Sequence, residues 1–399
     1  MRRAELTALS SSGYKGCRRK QNARSPPAAS PLLPVRLSGS GADARVRRGQ
    51  HVSHSAFLSR MKADPESESD AGEHFLVADV GGTNARFALA PAGAAGGGEA
   101  VIESLEVYRC DAFESFNAAM RSYREALGSA FPKSACIAIA GPVDGCSVEM
   151  TNRGWRVGED ELRREFGFET VQLVNDAEAI AAGIKTIGEA DLLQLKAGVA
   201  ADGPALVITA GTGLGVGALL PAADAWQALP TEAGHLALVP RSDLQRSVID
   251  RLRAEHGRVS AEFLLSGPGI GRLYRALATI EGSDARLDDS EAITAAAVSG
   301  TDALSARSIE LFRSLLGNFA GELALAFGAR GGVYLAGGIF RRLAPLLCDD
   351  VEFAASFCDK GPMQRFVKAI PVWLATVPKL GLRGARLTLE RRMAERNTG

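Results

Sequence analysis

Long apolar runs are missing from this chain of 399 residues. No stretch approaches the roughly 20 apolar residues that a membrane-spanning helix requires, so a membrane is not expected among its partners. The N-terminus also lacks the continuous apolar stretch of a secretory signal, and a cytoplasmic protein is expected. Aromatic residues are scarce, at 6%, while glycines number 44. That balance speaks against a coiled coil and for an alternating α/β chain rich in tight turns. The six cysteines, Cys17, Cys110, Cys136, Cys146, Cys348 and Cys358, include no Cys-x-x-Cys pair and no cluster with histidine at zinc-ligand spacing. Ordinary reduced thiols are expected.

Net charge is absent too, since 46 Lys/Arg balance 46 Asp/Glu. The balance is uneven along the chain. Residues 1–62 carry 13 basic residues against two acids, Glu5 and Asp43, which leaves 33 basic and 44 acidic residues, a net −11, for the rest. An acidic body has no electrostatic footprint for nucleic acid. An anionic substrate would have to be held by local devices such as backbone N–H groups rather than by a basic surface.

The length allows two domains. Residues 1–73, rich in Arg, Ser, Ala, Gly and Pro and without periodicity, are expected to be a disordered basic extension. Two origins are open for it: an organelle transit segment, or an over-extended reading frame with Met61 as the start, the second being favoured. A nucleic-acid-binding arm would need a helical or motif context that is not there. Structure is predicted to begin at Phe75–Val80, with a hairpin partner at Ala85–Ala90. A strand at Ser104–Tyr108, a helix over Phe113–Leu127 and a buried strand at Ala135–Ala140 follow. A helix over Glu159–Phe166, a strand at Val171–Val174 and a helix over Glu178–Ile184 complete the first half. The second half repeats the opening, with Ala205–Thr209 leading through glycines into Val216–Leu220. Helices are predicted over Asp243–His256, Ser260–Leu265, Gly269–Thr279, Glu291–Val298 and Asp302–Phe327, with strands at Val333–Ala336 and Ile370–Ala375. Strands alternating with helices indicate an α/β fold.

Four groups of residues carry chemistry. In Asp79-Val80-Gly81-Gly82-Thr83-Asn84-Ala85-Arg86 an apolar strand delivers an aspartate into a glycine turn. Its N–H groups can cradle phosphate oxygens, and its carboxylate could hold a hydrated Mg²⁺; the plain alternative is a hairpin with a Gly-Gly turn. Gly211-Thr212-Gly213-Leu214-Gly215 repeats the device. Neither loop is a P-loop, because no Gly-Lys-Ser/Thr follows, and neither opens a helix as a dinucleotide fingerprint would. Asn175-Asp176 puts a carboxylate at a strand end, where a general base needs a rigid support; a helix N-cap is the equally ready local reading of Asp176. Glu232 and His235, with Glu262 downstream, can donate and accept in the patterns of sugar hydroxyls. Each of these could singly be a surface residue, and zinc is disfavoured for want of a further His or Cys.

Taken in order, these segments resemble the bacterial glucokinase family, within the superfamily of actin-like ATPase domains that includes hexokinases. Ala140-Gly141-Pro142, Met150-Thr151-Asn152 with Trp155, Leu265-Ser266-Gly267-Pro268-Gly269 and Leu335-Ala336-Gly337-Gly338-Ile339 extend the likeness, which runs from about Phe75 to Arg386. The resemblance implies a two-lobed, ribonuclease H-like fold with the active site in the inter-lobe cleft. The small α/β lobe would comprise 74–186 plus about 377–399, and the large α/β lobe 187–376. It implies ATP-dependent phosphorylation of D-glucose at the 6-hydroxyl, with Asp176 as base and with Asn175, Glu232, His235, Glu262 and Asn152 around the sugar. Asp79, Gly81, Gly82, Thr83, Asn84, Gly211, Thr212 and Gly213 would face the ATP phosphates, and Gly337 and Gly338 the adenosine. Mg²⁺ would be held by Asp79 through water, and a homodimer is the implied assembly. One departure stands out: Thr231-Glu232-Ala233-Gly234-His235 replaces the family's Gly-Glu-Gly-Gly-His. A kinase for another hexose or an amino sugar, and a sugar-binding regulator without turnover, are the rival readings.

Overall fold

The computed structural model describes residues 74–93, 102–128, 131–150, 153–222 and 225–398; the basic segment 1–73 lies outside them. The first half opens with the expected hairpin, β1 (His74–Val80) antiparallel to β2 (Asn84–Pro91), in which Asp79 faces Arg86. β3 (Glu103–Arg109) pairs with β2 as an edge strand. Its mostly exposed, charged side chains suit an edge, where charge discourages pairing with another chain. α1 (Phe116–Leu127) starts later than the apolar pattern suggests, because the Ser115 hydroxyl caps it by accepting from Ala118 N at 3.1 Å. β4 (Ser134–Ile139) lies parallel to β1. Three short strands, β5 (Val143–Asp144), β6 (Ser147–Glu149) and β7 (Arg156–Gly158), make a small separate sheet that the sequence did not announce. α2 (Glu159–Phe166) then leads to β8 (Thr170–Asn175), parallel to β4.

α3 (Asp176–Gly183) carries the chain across to a second sheet made of β9 (Leu192–Lys196), β10 (Ala205–Ala210), β11 (Leu214–Ala222) and β12 (Ala225–Thr231), completed by β13 (Val333–Ala336) and β14 (Val372–Ala375). Between β12 and β13 come α4 (Asp243–His256), α5 (Ala261–Leu264), α6 (Gly267–Glu281), α7 (Ser290–Ser299) and α8 (Ala303–Ala326). α9 (Gly338–Arg342) and α10 (Val351–Cys358) precede β14, and α11 (Leu380–Thr398) follows it. The strand orders are β3-β2-β1-β4-β8 and β12-β11-β10-β13-β14-β9. Each sheet thus has an antiparallel meander on one side and parallel strands on the other, and the second adds β9.

Each sheet has its own core. Leu76, Phe87, Phe116, Tyr123 and Phe166 fill the first, where the Phe87 ring stacks on Tyr123 with centroids 5.4 Å apart. Leu206, Ile208, Leu273, Leu315 and Phe353 belong to the larger second core. The sheets meet through two helices: α11 packs on β1 and β4, α3 packs on β10, β11 and β12, and the two helices cross on each other. The crossing is made by small residues. A β-carbon on Gly384 would fall onto the Ala179 carbonyl oxygen, and one on Gly183 onto that of Leu380.

Because backbone cannot yield as a flexible side chain does, Gly384→Ala should destabilise by about 3 kcal/mol or more. A melt monitored by circular dichroism should show the transition falling by about 5–10 °C; an unchanged transition would mean that the crossing is looser than described.

Candidate active site

Both glycine turns lie at the carboxyl ends of the central strands, where open α/β sheets leave a crevice. Asp79 is the penultimate residue of β1, and Gly81, Gly82 and Thr83 form the turn into Asn84, the first residue of β2. The turn is braced by its own chain and by neighbours. Gly81 N donates to Asn84 O at 3.0 Å, Cys110 N to Thr83 O at 2.9 Å, and Arg153 Nε to Gly82 O at 2.6 Å. Asp79 Oδ2 accepts from Arg86 Nη1 at 3.2 Å. Burial pushes the Asp79 carboxyl above the usual carboxylate range, and the Arg86 charge opposes it.

The second turn, Gly211–Gly213, joins β10 to β11. Gly211 N donates to Gly213 O at 2.9 Å, and Gly267 N donates to Gly211 O at 2.8 Å, which anchors the turn to the start of α6. The two turns meet: Thr83 Oγ1 and Thr212 Oγ1 are 3.1 Å apart. Gly337 and Gly338 follow β13 at the same end of the sheet. Gly337 has φ +105°, and a β-carbon there would stand 2.5 Å from Ala210 O, so the Gly337-Gly338 turn abuts the base of the second loop.

Asn175 ends β8 and caps α3, its Oδ1 accepting from Ala177 N at 2.9 Å and Glu178 N at 3.3 Å while its Nδ2 donates to Gly141 O at 3.0 Å. The cap reading of Asp176 therefore fails: the helix begins at Asp176 itself and Asn175 does the capping. Asp176 Oδ1 accepts from Ala177 N at 2.8 Å. Burial, and then the nearby charges of Asp79 and Glu232, push the Asp176 carboxyl up to about 7, against the opposing Ala177 N–H. A carboxylate near Asp79 with a pKa near neutrality can exchange a proton with an alcohol.

Glu232 and His235 stand exposed on the turn after β12, with Glu232 Oε2 and His235 Nε2 3.7 Å apart. Glu262 sits on α5, capped by the Ser260 hydroxyl, and its Oε2 accepts from Leu214 N at 3.0 Å at the exit of the second glycine turn. The two segments are tied together by Ala261 N donating to Leu236 O at 2.7 Å. The Thr-Glu-Ala-Gly-His variant has a structural account. Thr231 Oγ1 donates to Val216 O at 2.8 Å and accepts from Ala233 N at 3.2 Å, which fixes the turn. Gly234 is retained because a β-carbon there would meet Leu214 O. Asn152 lies outside the described residues.

Three further residues shape the site. Arg86 was visible as part of a motif but not as the partner of Asp79; the hairpin register, which sets them opposite, was the available signal. Gly267 likewise gains its role only from the fold, through its N–H to Gly211 O. Arg153, which clamps Gly82, has no local signal, because it reaches the turn from the loop before β7. Among the described residues no group of three or more Asp, Glu, His or Cys is placed to cage a metal ion, and no helix is long and apolar enough to cross a membrane.

The glucokinase family model matches residues 76–392. A glucokinase of Saccharophagus degradans is 40% identical over 317 residues, 79% of this chain and 98% of its own length. Among solved structures, glucokinase from an Antarctic psychrotroph superposes with a TM-score of 0.69 at 36% identity, covering 80% of this chain and 99% of its own. Glucokinase from Balamuthia mandrillaris, solved in complex with glucose, reaches the same TM-score of 0.69 at 24% identity, over 81% of this chain and 95% of its own, and at that distance supports the two-lobed fold. With a family match that spans both sheets and their connecting helices, the chain belongs to the glucokinase family.

Proposed function

We propose that in the glucokinase reaction, transfer of a phosphoryl group from ATP to glucose, Asp176 takes the proton of the sugar's 6-hydroxyl. The observation that carries this assignment is the position of Asp176 on the first turn of α3, beside Asp79 and Glu232, with its carboxyl raised to about 7. A base works best when its pKa lies near the working pH. Asn175, Glu232, His235, Glu262 and Asn152 would hold the sugar, with Glu262 reaching from the sugar side to the Leu214 amide of the second turn. The Gly81–Asn84 and Gly211–Gly213 segments would cradle the phosphates with backbone N–H groups, and the Gly337-Gly338 turn would take the adenosine. Phosphoryl transfer asks little covalent chemistry of the protein, so positioning of the two substrates and a closed, dry cleft supply most of the rate.

Mg²⁺ fits this arrangement. The ion dehydrates reluctantly and is bound mainly through substrate phosphates with one or two carboxylates, so no protein cage is needed. Asp79 would hold it through water, and the ion would supply positive charge to the phosphate oxygens. We further propose lobes of 74–186 plus about 377–399, and 187–376, supported by the two sheets and by α11 returning to the first. A homodimer is proposed on the family resemblance, and a cytoplasmic setting on the reading of the sequence.

Asp176→Asn keeps the shape of the side chain and removes the base, so kcat should fall by roughly 10² to 10⁴-fold with the glucose dissociation constant nearly unchanged. A variant that keeps most of its kcat would take Asp176 out of this role. Since only the ionised carboxylate can accept the proton, kcat/KM for glucose should drop tenfold per pH unit below about 7 and level off above it; a profile flat from pH 5.5 to 8 would contradict the assignment. Glu262→Gln should raise the glucose dissociation constant by about tenfold or more, the worth of one hydrogen bond to a charged group, as read by titration calorimetry. Equal affinity would place the sugar elsewhere.

A further inference from the structure

The segment Val377–Gly381, between β14 and the body of α11, takes no part in the roles assigned so far, yet it is held from several directions. Arg341 Nη1, on α9, donates to Val377 O at 3.2 Å. Lys379 has φ +65°, in the left-handed region that a residue with a β-carbon enters uncommonly. Such strain persists where the surroundings over-determine the chain, and it gathers at functional sites. Two residues on, Gly381 meets the Asp79 carboxyl face to face. A β-carbon on Gly381 would lie 3.0 Å from Asp79 Cγ and 3.3 Å from both carboxyl oxygens.

Both partners are held by neighbours. α11 is fixed on α3 by close backbone approach: the Leu380 carbonyl stands where Gly183 would carry a β-carbon, and the Ala179 carbonyl stands where Gly384 would. Asp79 is held on its other side by Arg86 Nη1. We propose that Gly381 is a positioning residue for Asp79: its bare α-carbon leaves the space in which the carboxyl group stands and so sets where that group meets the nucleotide. The first turn of a 19-residue helix is a favourable neighbour for a carboxylate, because the free N–H ends carry partial positive charge. The inference rests on the reading of Asp79 as a residue of the ATP side.

The test is a mutant cycle in the full chain, read as kcat/KM for ATP at saturating glucose and as glucose affinity without nucleotide. Gly381→Ala should lower kcat/KM for ATP by about tenfold, since sub-ångström misplacement of a working group is costly, and should leave glucose affinity within about twofold. The loss should shrink in an Asp79→Asn background, where the carboxylate is already gone, and should vanish in Asp79→Ala, where the side chain is gone as well. An equal loss in all three backgrounds, or a matching loss of glucose affinity, would overturn the inference. If Gly381→Ala does not fold, Asp79→Ala should restore a cooperative melt to the double variant; a double variant that also fails to fold would overturn it as well. Full activity in Asp79→Ala alone would refute the ATP-side reading of Asp79, and the inference with it.

Discussion

The close crossing of α3 and α11 is the constraint on which the rest of the molecule depends. Two sheets of matching topology could be packed at many separations, but a crossing made by Gly183, Gly384 and Ala179 permits only backbone-to-backbone contact. Since α3 begins at Asp176 and α11 begins beside Asp79, fixing the helices also fixes the two carboxylates. The same contact brings the turns after β1 and β10 near enough for their threonine hydroxyls to touch at 3.1 Å. The geometry of the proposed site is therefore set by packing at a distance from it, through helices whose small residues leave little freedom to slide.

Electrostatics work against the fold and for the proposed chemistry. Asp79, Asp176 and Glu232 are brought near one another at the mouth of the sheets, and burial raises the first two. Asp79 has Arg86 beside it, whereas the causes acting on Asp176 are chiefly unfavourable to charge. A group left half ionised near neutral pH is a poor contributor to stability and a good proton acceptor. The acidity of residues 63–399, read from residue counts, suits the proposal above, in which ATP would be met by oriented backbone amides at the glycine turns rather than by a broad positive surface.

Much of the site was legible because its signals are local. An apolar strand running into Gly-Gly or Gly-Thr-Gly states both the element and its turn, and Asn175-Asp176 marks a strand end whichever residue does the capping. The two-lobed arrangement, by contrast, came from resemblance, and several elements gave no local sign. β5, β6 and β7 are two or three residues long, too short for periodicity. β12 contains Pro230, which argues against a strand, and is tolerated because β12 lies at the sheet edge. α11 intersperses five arginines with its leucines and small residues and packs against both α3 and the first sheet, so it shows no single apolar stripe. Arg153 and Gly381 act through contacts with residues remote in sequence, which no window on the chain contains.

The placement of α11 also bears on how the chain reaches this state. Leu382, Ala385 and Leu389 share a core with Phe75, Val77, Cys136 and Ala138, so one face of the first strand is closed by the last element described. While the protein is being synthesised, the α11 part of that cover is missing until residue 380 and those beyond it have been added, although the second core can gather earlier from neighbours in sequence. The half made first is thus the half finished last. During that interval the apolar underside of β1 and β4 is the surface that a chaperone would meet, and that a neighbouring nascent chain could foul.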